Sequence, residues 1–248
     1  MFDEESATKT EQARRVREMF ATIAGRYDLL NHLLSVNIDK RWRRRVAKTL
    51  YASLRSARAS FPGKARILDV ACGTGDLSFT LFETGEARIV GVDFCRPMLQ
   101  IANSKASKLG FEVPLIEGDA LSLPFRDSSF EAATIAFGLR NLTAVETGFT
   151  ELLRILKPGG RLIVLEFSKP TTPILRSVFR IYFTRVLPLF GGLISGSISA
   201  YQYLPESVSS FPDQNELASI MRRAGFEEVT FQNLSGGIAA LHLGMRPH

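Results

Sequence analysis

Arg140 and Asn141 follow directly on a run, Thr134–Phe137, that reads as a buried strand, with one turn at Gly138 between them. An arginine keeps its charge throughout the working range of a protein, so it cannot take a proton from a substrate. It can hold an oxyanion with its charge and two donors, or it can cap a solvated loop. Upstream, ILDVACGTGDLS joins a strand-like run to a helix-like one. Gly73 and Gly75 permit a turn that brings backbone close to a ligand, and the helix start after them offers free N–H groups. A dinucleotide fingerprint would place a third glycine where Ser78 stands, and a P-loop would need Gly-Lys-Ser/Thr, which is missing. Asp76 stands where a pyrophosphate would have to lie, which favours a cationic ligand. Asp93, 18 residues past Gly75, ends the next strand-like run, where an acid can hold a ribose diol. Asp119, with Ala120 after it, ends a third and can accept from an adenine amine.

These residues need a scaffold that gathers strand ends. Val16, Met19, Phe20, Ile23 and Tyr27 recur at three and four residues, which predicts an amphipathic helix. LLNHLLS is a second apolar run, and the basic stretch Asp39–Lys48 predicts another helix, closed by the linker SARASFPGKA. From Arg66 the pattern alternates. RILDVAC, RIVGVDF, VPLIEGDA, FEAATIAF and RLIVLEF read as strands, with KPGG as a tight turn into the last. DLSFTLFET, RPMLQIANSKASKLG and roughly 144–156 read as the helices between them. NELASIMRRAG is a further helix, and EEVTFQNL and AALHLGMR form a hairpin about Gly236 and Gly237. Repeated βα units predict an α/β fold with a mostly parallel seven-stranded sheet and an antiparallel last strand. One domain is expected over 1–248. It comprises a helical cap (1–60), a Rossmann-like core (66–167 and 213–248) and a lid insertion (168–212). In the lid, Leu175, Val178, Phe179, Tyr182, Phe183 and Val186 make one apolar helical face, Arg176, Arg180 and Arg185 flank it, and Pro188 ends it. That pattern suits an interfacial helix or an ordinary lid packed on the core.

Composition narrows the class. The 248 residues carry a net charge of +6, and residues 1–58 hold 13 Lys/Arg against 7 Asp/Glu. Such a cluster suits nucleic acid, an anionic membrane face, or a solvated helix face. Two cysteines, Cys72 and Cys95, without a CxxC pair or a nearby His cluster, imply neither a disulfide framework nor a zinc site, and a reducing cytosol fits. The polar start MFDEESATKTEQARR is not read as a signal peptide, and no run of 18 apolar residues predicts a membrane span.

The glycine loop, the acid ending strand two, the acid after strand three and the Pro-Gly-Gly before strand five together resemble the S-adenosylmethionine-dependent methyltransferases with a Rossmann-like sheet, over about 66–246. The resemblance implies that Thr74 and the backbone of Gly73 and Gly75 hold the methionine part of that cofactor. It gives Asp93 the ribose and Asp119 with Ala120 the adenine, and Asp69 joins the cofactor-binding set. FATIAGRYDLLNHLLS, FGLRN, LEFSKP, AYQYLPESVSSFP and NLSGGIAALHLG narrow it further. With these, nearly the whole chain is similar to the C-methyltransferase family of quinone biosynthesis, which makes menaquinone from demethylmenaquinone and in some members acts in ubiquinone synthesis. The chain departs from that family at Asn37, where Gly is common, at Ala136, where Ser is common, and near Ser197 and Ser199, where acids are common.

The resemblance implies a polyprenyl quinol substrate, methylated at a ring carbon without a metal. It further implies peripheral contact with the inner face of a membrane from the cytoplasm, no nucleic-acid partner, and room for a homodimer. Arg140 is then the oxyanion partner. Tyr201 and Tyr203 are candidate proton relays, and His242 is either a base or a core residue. Tyr27 and Asp28 either line the substrate side or staple the cap. Three rivals stand beside this reading. A nucleic-acid methyltransferase would want an Asn-Pro-Pro-Tyr-like loop after strand four, where FGLR stands. A non-catalytic binder would tolerate a broken glycine loop or no Arg140, and both are intact here. A nicotinamide dehydrogenase is disfavoured by Asp76 and Ser78.

Overall fold

The computed structural model describes residues 2–35, 37–57, 63–85, 87–182 and 198–248. Seven strands form one sheet in the order β3-β2-β1-β4-β5-β7-β6. They are β1 (Arg66–Val70), β2 (Arg88–Asp93), β3 (Leu115–Glu117), β4 (Phe130–Ala136), β5 (Leu156–Phe167), β6 (Glu227–Leu234) and β7 (Ala239–Met245). The first five run parallel, and β7 pairs antiparallel with both β5 and β6. Burial on both faces explains why the central strands read as unbroken apolar runs. In β5, Leu162 and Val164 pack in one core, and Ile163 and Leu165 in the other.

The helices are α1 (Phe2–Leu34), α2 (Ile38–Ser56), α3 (Asp76–Thr84), α4 (Arg96–Leu109), α5 (Val145–Ile155), α6 (Pro173–Ile181), α7 (Ile198–Ser210) and α8 (Gln214–Arg223). One core joins Phe149 and Leu152 of α5 and Met221 of α8 to Phe130 and Phe226. The other places Trp42, Val46, Ala47 and Leu50 of α2 against Ile67, Ile163, Leu77 and Leu81. The densest basic stretch is therefore an amphipathic helix whose apolar face is core, while Lys40, Arg41, Arg44, Arg45 and Lys48 stay exposed. Among the described residues, no helix is long and apolar enough to cross a membrane.

Several expectations change in detail. LLNHLL does not start a new element but continues α1, which makes one helix of 33 residues. Asn37 then turns the chain with φ 59 and ψ 14, the left-handed region that Gly and Asn adopt most cheaply. KPGG is not a turn before β5 but a bulge inside it: Phe130 pairs with Leu156, and the register resumes only at Ala132 with Arg161. Gly159 takes φ 73 within the bulge. The expected lid face splits in two. Phe179 and Tyr182 pack with Ile23, Met19 and Leu204, whereas Val178 joins Ile174 and Ile181 in an exposed row (58%, 80% and 50%). Phe183, Arg185, Val186, Pro188 and Ser197 lie outside the described residues, as does part of the linker (58–62) and the side chains of Ser199 and Tyr201.

Candidate functional site

In an open parallel sheet the ligand crevice lies outside the carboxyl ends of the strands, where the strand order reverses. Here that point is between β1 and β4, and a cavity of about 750 Å³ opens there, within the range usual for small-molecule sites. Gly73, Asp93, Asp119, Ala120, Phe20 and Asn141 are among its walls. The backbone beneath is tightly drawn. Ala71 and Phe137, at the ends of β1 and β4, both take left-handed φ values of 53 and 57, which cost energy for residues other than glycine and concentrate at functional sites. A side chain at Gly138 would overlap the Cβ of Ala71, so glycine lets these two loops touch.

Asp93 is 6% exposed at the end of β2. Its Oδ2 accepts from the Gly73 N–H and its Oδ1 from the Cys95 N–H, each at 2.8 Å. A carboxylate has about four acceptor positions, so each oxygen keeps one for a diol. Burial pushes the Asp93 carboxyl up, and the two N–H groups pull it back. Asp119 is exposed, and its Oδ1 accepts from the Leu121 N–H at 2.8 Å, which leaves Oδ2 to face a donor. This acceptor set suits a ligand that carries a diol and an amine, as S-adenosylmethionine does, with a glycine where backbone can come close to it.

The rest of the expected cofactor set lies behind the glycine loop. Asp69 and Thr74 border a smaller cavity of about 40 Å³ beside the main one. Gly75 borders neither. It caps α3 with φ 85, and a Cβ there would meet the Phe79 ring at 2.6 Å. Asp69 is 1% exposed and accepts from Ser78 Oγ at 2.6 Å and Thr134 Oγ1 at 2.8 Å, tying β1 to α3 and β4. Ser78, which departs from the dinucleotide fingerprint, therefore has a structural task.

Burial raises the Asp69 carboxyl from 3.8 to about 6, against the pull of those two hydroxyls. The folded state holds this proton more tightly than the unfolded chain does. Its contribution to stability is therefore complete below pH ~4 and lost as pH rises through about 6. Measured by urea unfolding against Asp69→Asn, the wild-type protein should lose about 2 kcal/mol of relative stability between pH 4 and pH 7. A pH-independent difference would mean that Asp69 is ionised throughout.

A chain of charges joins α1 and α2 to the glycine loop. Asp28 accepts from Thr74 Oγ1 at 2.5 Å and from Lys105 Nζ at 2.9 Å. Lys105 also reaches Asp76 at 2.5 Å. Asp76 lies 3.3 Å from Arg43, which pairs with Asp39, and Asp39 accepts from Ser35 Oγ at 2.6 Å and meets His32 Nδ1 at 2.8 Å. Asp28 thus fastens α1 to the loop, and Asp76 is already neutralised by cations, so it does not make the loop anionic as its position in the sequence implied. His32, Asp39 and Asp76 converge as a metal trio would, yet the Arg43 guanidinium occupies the same carboxylates and supplies the positive charge.

A second, apolar pocket of about 90 Å³ adjoins the cleft, walled by Phe20, Tyr27, Trp42, Phe137, Phe167 and Leu204. Trp42, Phe137 and Phe167 contact one another with centroids 4.8 to 6.4 Å apart. Tyr27 borders this pocket, the main cleft and the small cavity, so it lines the site as well as anchoring α1, and burial pushes its phenol up. Arg140 borders the apolar pocket and not the cleft. Its side chain is 6% exposed; Nη1 donates to Glu166 Oε1 at 2.8 Å and to the Phe137 carbonyl at 2.5 Å. The Arg140 Nε–H is buried without a partner. Tyr203 donates to Asn141 Oδ1 at 3.0 Å, and burial raises its phenol, which therefore stays neutral and serves as a donor.

His242 is not at the site. It is 1% exposed on β7, its Nε2 lies 2.8 Å from the Gln214 carbonyl, and burial lowers its pKa; it is a core residue. Two participants escaped the sequence reading. Glu166 is 1% exposed, and besides Arg140 Nη1 it accepts from the Phe167 N–H at 2.8 Å. The signal was present: an acid inside the apolar run LIVLEF must be paired when buried. Arg43 carried no such signal among its basic neighbours.

Comparison with known proteins shows the family. The model of the ubiE/COQ5 methyltransferase family matches residues 7–246. A demethylmenaquinone methyltransferase of Thermus thermophilus is 51% identical over 92% of this chain and 100% of its own length. A ubiquinone/menaquinone biosynthesis C-methyltransferase UbiE of Geobacter sp. is 42% identical over 96% of this chain and 98% of its own. A solved SAM-dependent methyltransferase of Aquifex aeolicus shares the fold with a TM-score of 0.55 at 19% identity, covering 77% of this chain and 88% of that one.

Proposed function

Because the chain belongs to the ubiE/COQ5 methyltransferase family, we propose that it methylates a ring carbon of a polyprenyl quinol, converting demethylmenaquinol to menaquinol. The family makes it an S-adenosylmethionine-dependent C-methyltransferase of quinone biosynthesis. The relatives named for both ubiquinone and menaquinone keep a benzoquinol as the second substrate class.

When bound, S-adenosylmethionine supplies an electrophilic methyl group on a sulfonium. Asp93 holds the ribose, Asp119 and Ala120 hold the adenine, and the glycine loop with Thr74 takes the methionine end. The quinol ring lies in the aromatic pocket, against the cluster of Trp42, Phe137 and Phe167, with Tyr27 where that pocket meets the cleft. A quinol that has lost a phenolic proton is nucleophilic at the ring carbon, and Arg140 stabilises its oxyanion in a desolvated site, where such a charge acts strongly. One observation carries this role: a nearly buried arginine whose side chain borders an apolar ring-sized pocket. Neutral Tyr203, whose O–H is given to Asn141 Oδ1, presents its oxygen as an acceptor at the same wall, and Tyr201 on the same helix is the second proton relay. Water delivers the phenolic proton to solvent, with Arg140 lowering the cost of its loss; after the C–CH3 bond forms and the sulfonium leaves as the neutral thioether, the ring-carbon proton moves to the oxygen beside Arg140 and restores the aromatic quinol.

The prenyl tail leaves along Met19, Ile23 and Leu204 toward Phe179 and Tyr182. On the outer side of α6, Ile174, Val178 and Ile181 offer an apolar row to a lipid surface. That row supports peripheral membrane contact from the cytoplasmic side, where the substrate resides.

The test is methyl transfer from labelled S-adenosylmethionine to demethylmenaquinone in detergent, with and without dithionite, beside bulk tRNA. Label should enter the quinone only under reduction, because only the quinol has a phenolic proton to lose. Label in tRNA, or in neither acceptor despite cofactor binding, would overturn the reading in favour of a nucleic-acid methyltransferase or a non-catalytic binder.

A further inference from the structure

Arg43 does more than neutralise Asp39 and Asp76. It projects from α2, its side chain is 11% exposed, and it borders both the aromatic pocket and the small cavity behind the glycine loop. The acidic side chains bordering that small cavity are Asp69 and Asp76, and Arg43 is the one cation bordering it among the described residues. Its ion pairs, to Asp39 and Asp76, both run through Nη1. The rest of the fork is left to meet an acceptor.

The chemistry of the cofactor sets the requirement. With the ribose at Asp93 and the adenine at Asp119, the amino-acid end points back toward Thr74 and the small cavity. That end carries an α-carboxylate. Between Asp69 and Asp76 a third carboxylate would be repelled unless a cation met it. Lys105 is committed to Asp28 and Asp76. We propose that Arg43 binds the α-carboxylate of the cofactor, so that α2 closes the cofactor site and the aromatic pocket together. This rests on the S-adenosylmethionine reading above.

Asp76 keeps Lys105 when Arg43 turns toward the ligand, and Arg43 Nη1 stays on Asp39, which also keeps Ser35 and His32 as hydrogen-bond partners. Arg43 also follows Trp42, which packs on Phe137 and Phe167 and donates to Ser235 Oγ at 3.1 Å. Arg43 on the cofactor and Trp42 on the ring pocket are thus neighbours on one helix, so cofactor binding reaches one wall of the ring pocket.

The experiment compares binding of S-adenosylmethionine with binding of its decarboxylated analogue by calorimetry, with the emission of Trp42, the single tryptophan, as a second readout. A charge-assisted pair of this kind corresponds to about 10- to 100-fold in affinity. Wild-type protein should prefer the carboxylated ligand by that factor, and its Trp42 emission should shift on binding. Arg43→Met should bind the two ligands within about threefold of each other, without the shift. If Arg43→Met does not fold, Arg43→Gln, which keeps a donor for Asp39, should show the same loss of preference. A variant that keeps the wild-type preference, or a wild-type protein with none, overturns the proposal while the methyltransferase reading stands. Failure of wild-type protein to bind S-adenosylmethionine at all overturns both.

Discussion

Arg140→Ala should lower turnover by about 10²–10³ while affinity for S-adenosylmethionine stays within about threefold of wild type. The split follows from where the side chain lies. Arg140 borders the aromatic pocket and is absent from the walls of the cofactor cleft. Its charge therefore bears on the atom that becomes an oxyanion, which is charged in the transition state and neutral in the resting quinol. An interaction of that kind lowers the barrier without deepening the ground state. Single-turnover methyl transfer to the reduced quinone, set beside calorimetric cofactor binding, measures both halves. Equal losses in turnover and in cofactor affinity would move Arg140 into the cofactor site.

The βα core was legible because its signals are local. Asp76–Thr84 and Arg96–Leu109 announce themselves by period and by their glycine ends, and the strands by unbroken apolar runs. Asp93 was legible because it closes β2; the third strand was read as running to Asp119, but β3 ends at Glu117 and Asp119 lies two residues past it, in the loop at the strand's carboxyl end. What the pattern concealed lies between elements. Asp28 meets Thr74 across 46 residues, and nothing in RYDLLN says which loop its carboxylate will reach. The bulge of KPGG within β5 depends on the register that β4 imposes, while its Pro-Gly-Gly composition is that of any turn. Arg43 is one arginine among several on a basic helix. Only the turn of α2 onto the sheet, which buries Trp42, aims Arg43 inward and leaves Arg44 and Arg45 in solvent.

Glu166→Gln should cost about 3–5 kcal/mol of stability, because it leaves the Arg140 charge buried without its counter-ion. Glu166 is 1% exposed, and it accepts from Arg140 twice, through Nη1 at 2.8 Å and the backbone N–H at 3.3 Å. Adding Arg140→Met to that variant should restore much of the loss, since the double variant buries neither charge. The cycle of the two single variants and the double variant then gives a coupling energy of several kcal/mol by urea unfolding, at the upper end of the range for residues in contact. The double variant should nevertheless be as inactive as Arg140→Ala. A protein that regains its stability without regaining turnover separates the two tasks of Arg140, as a partner for Glu166 within the sheet and as a charge facing the quinol. Full activity in the double variant would show that the pair only holds the end of β5 to the Gly138 turn, and the oxyanion would need another partner.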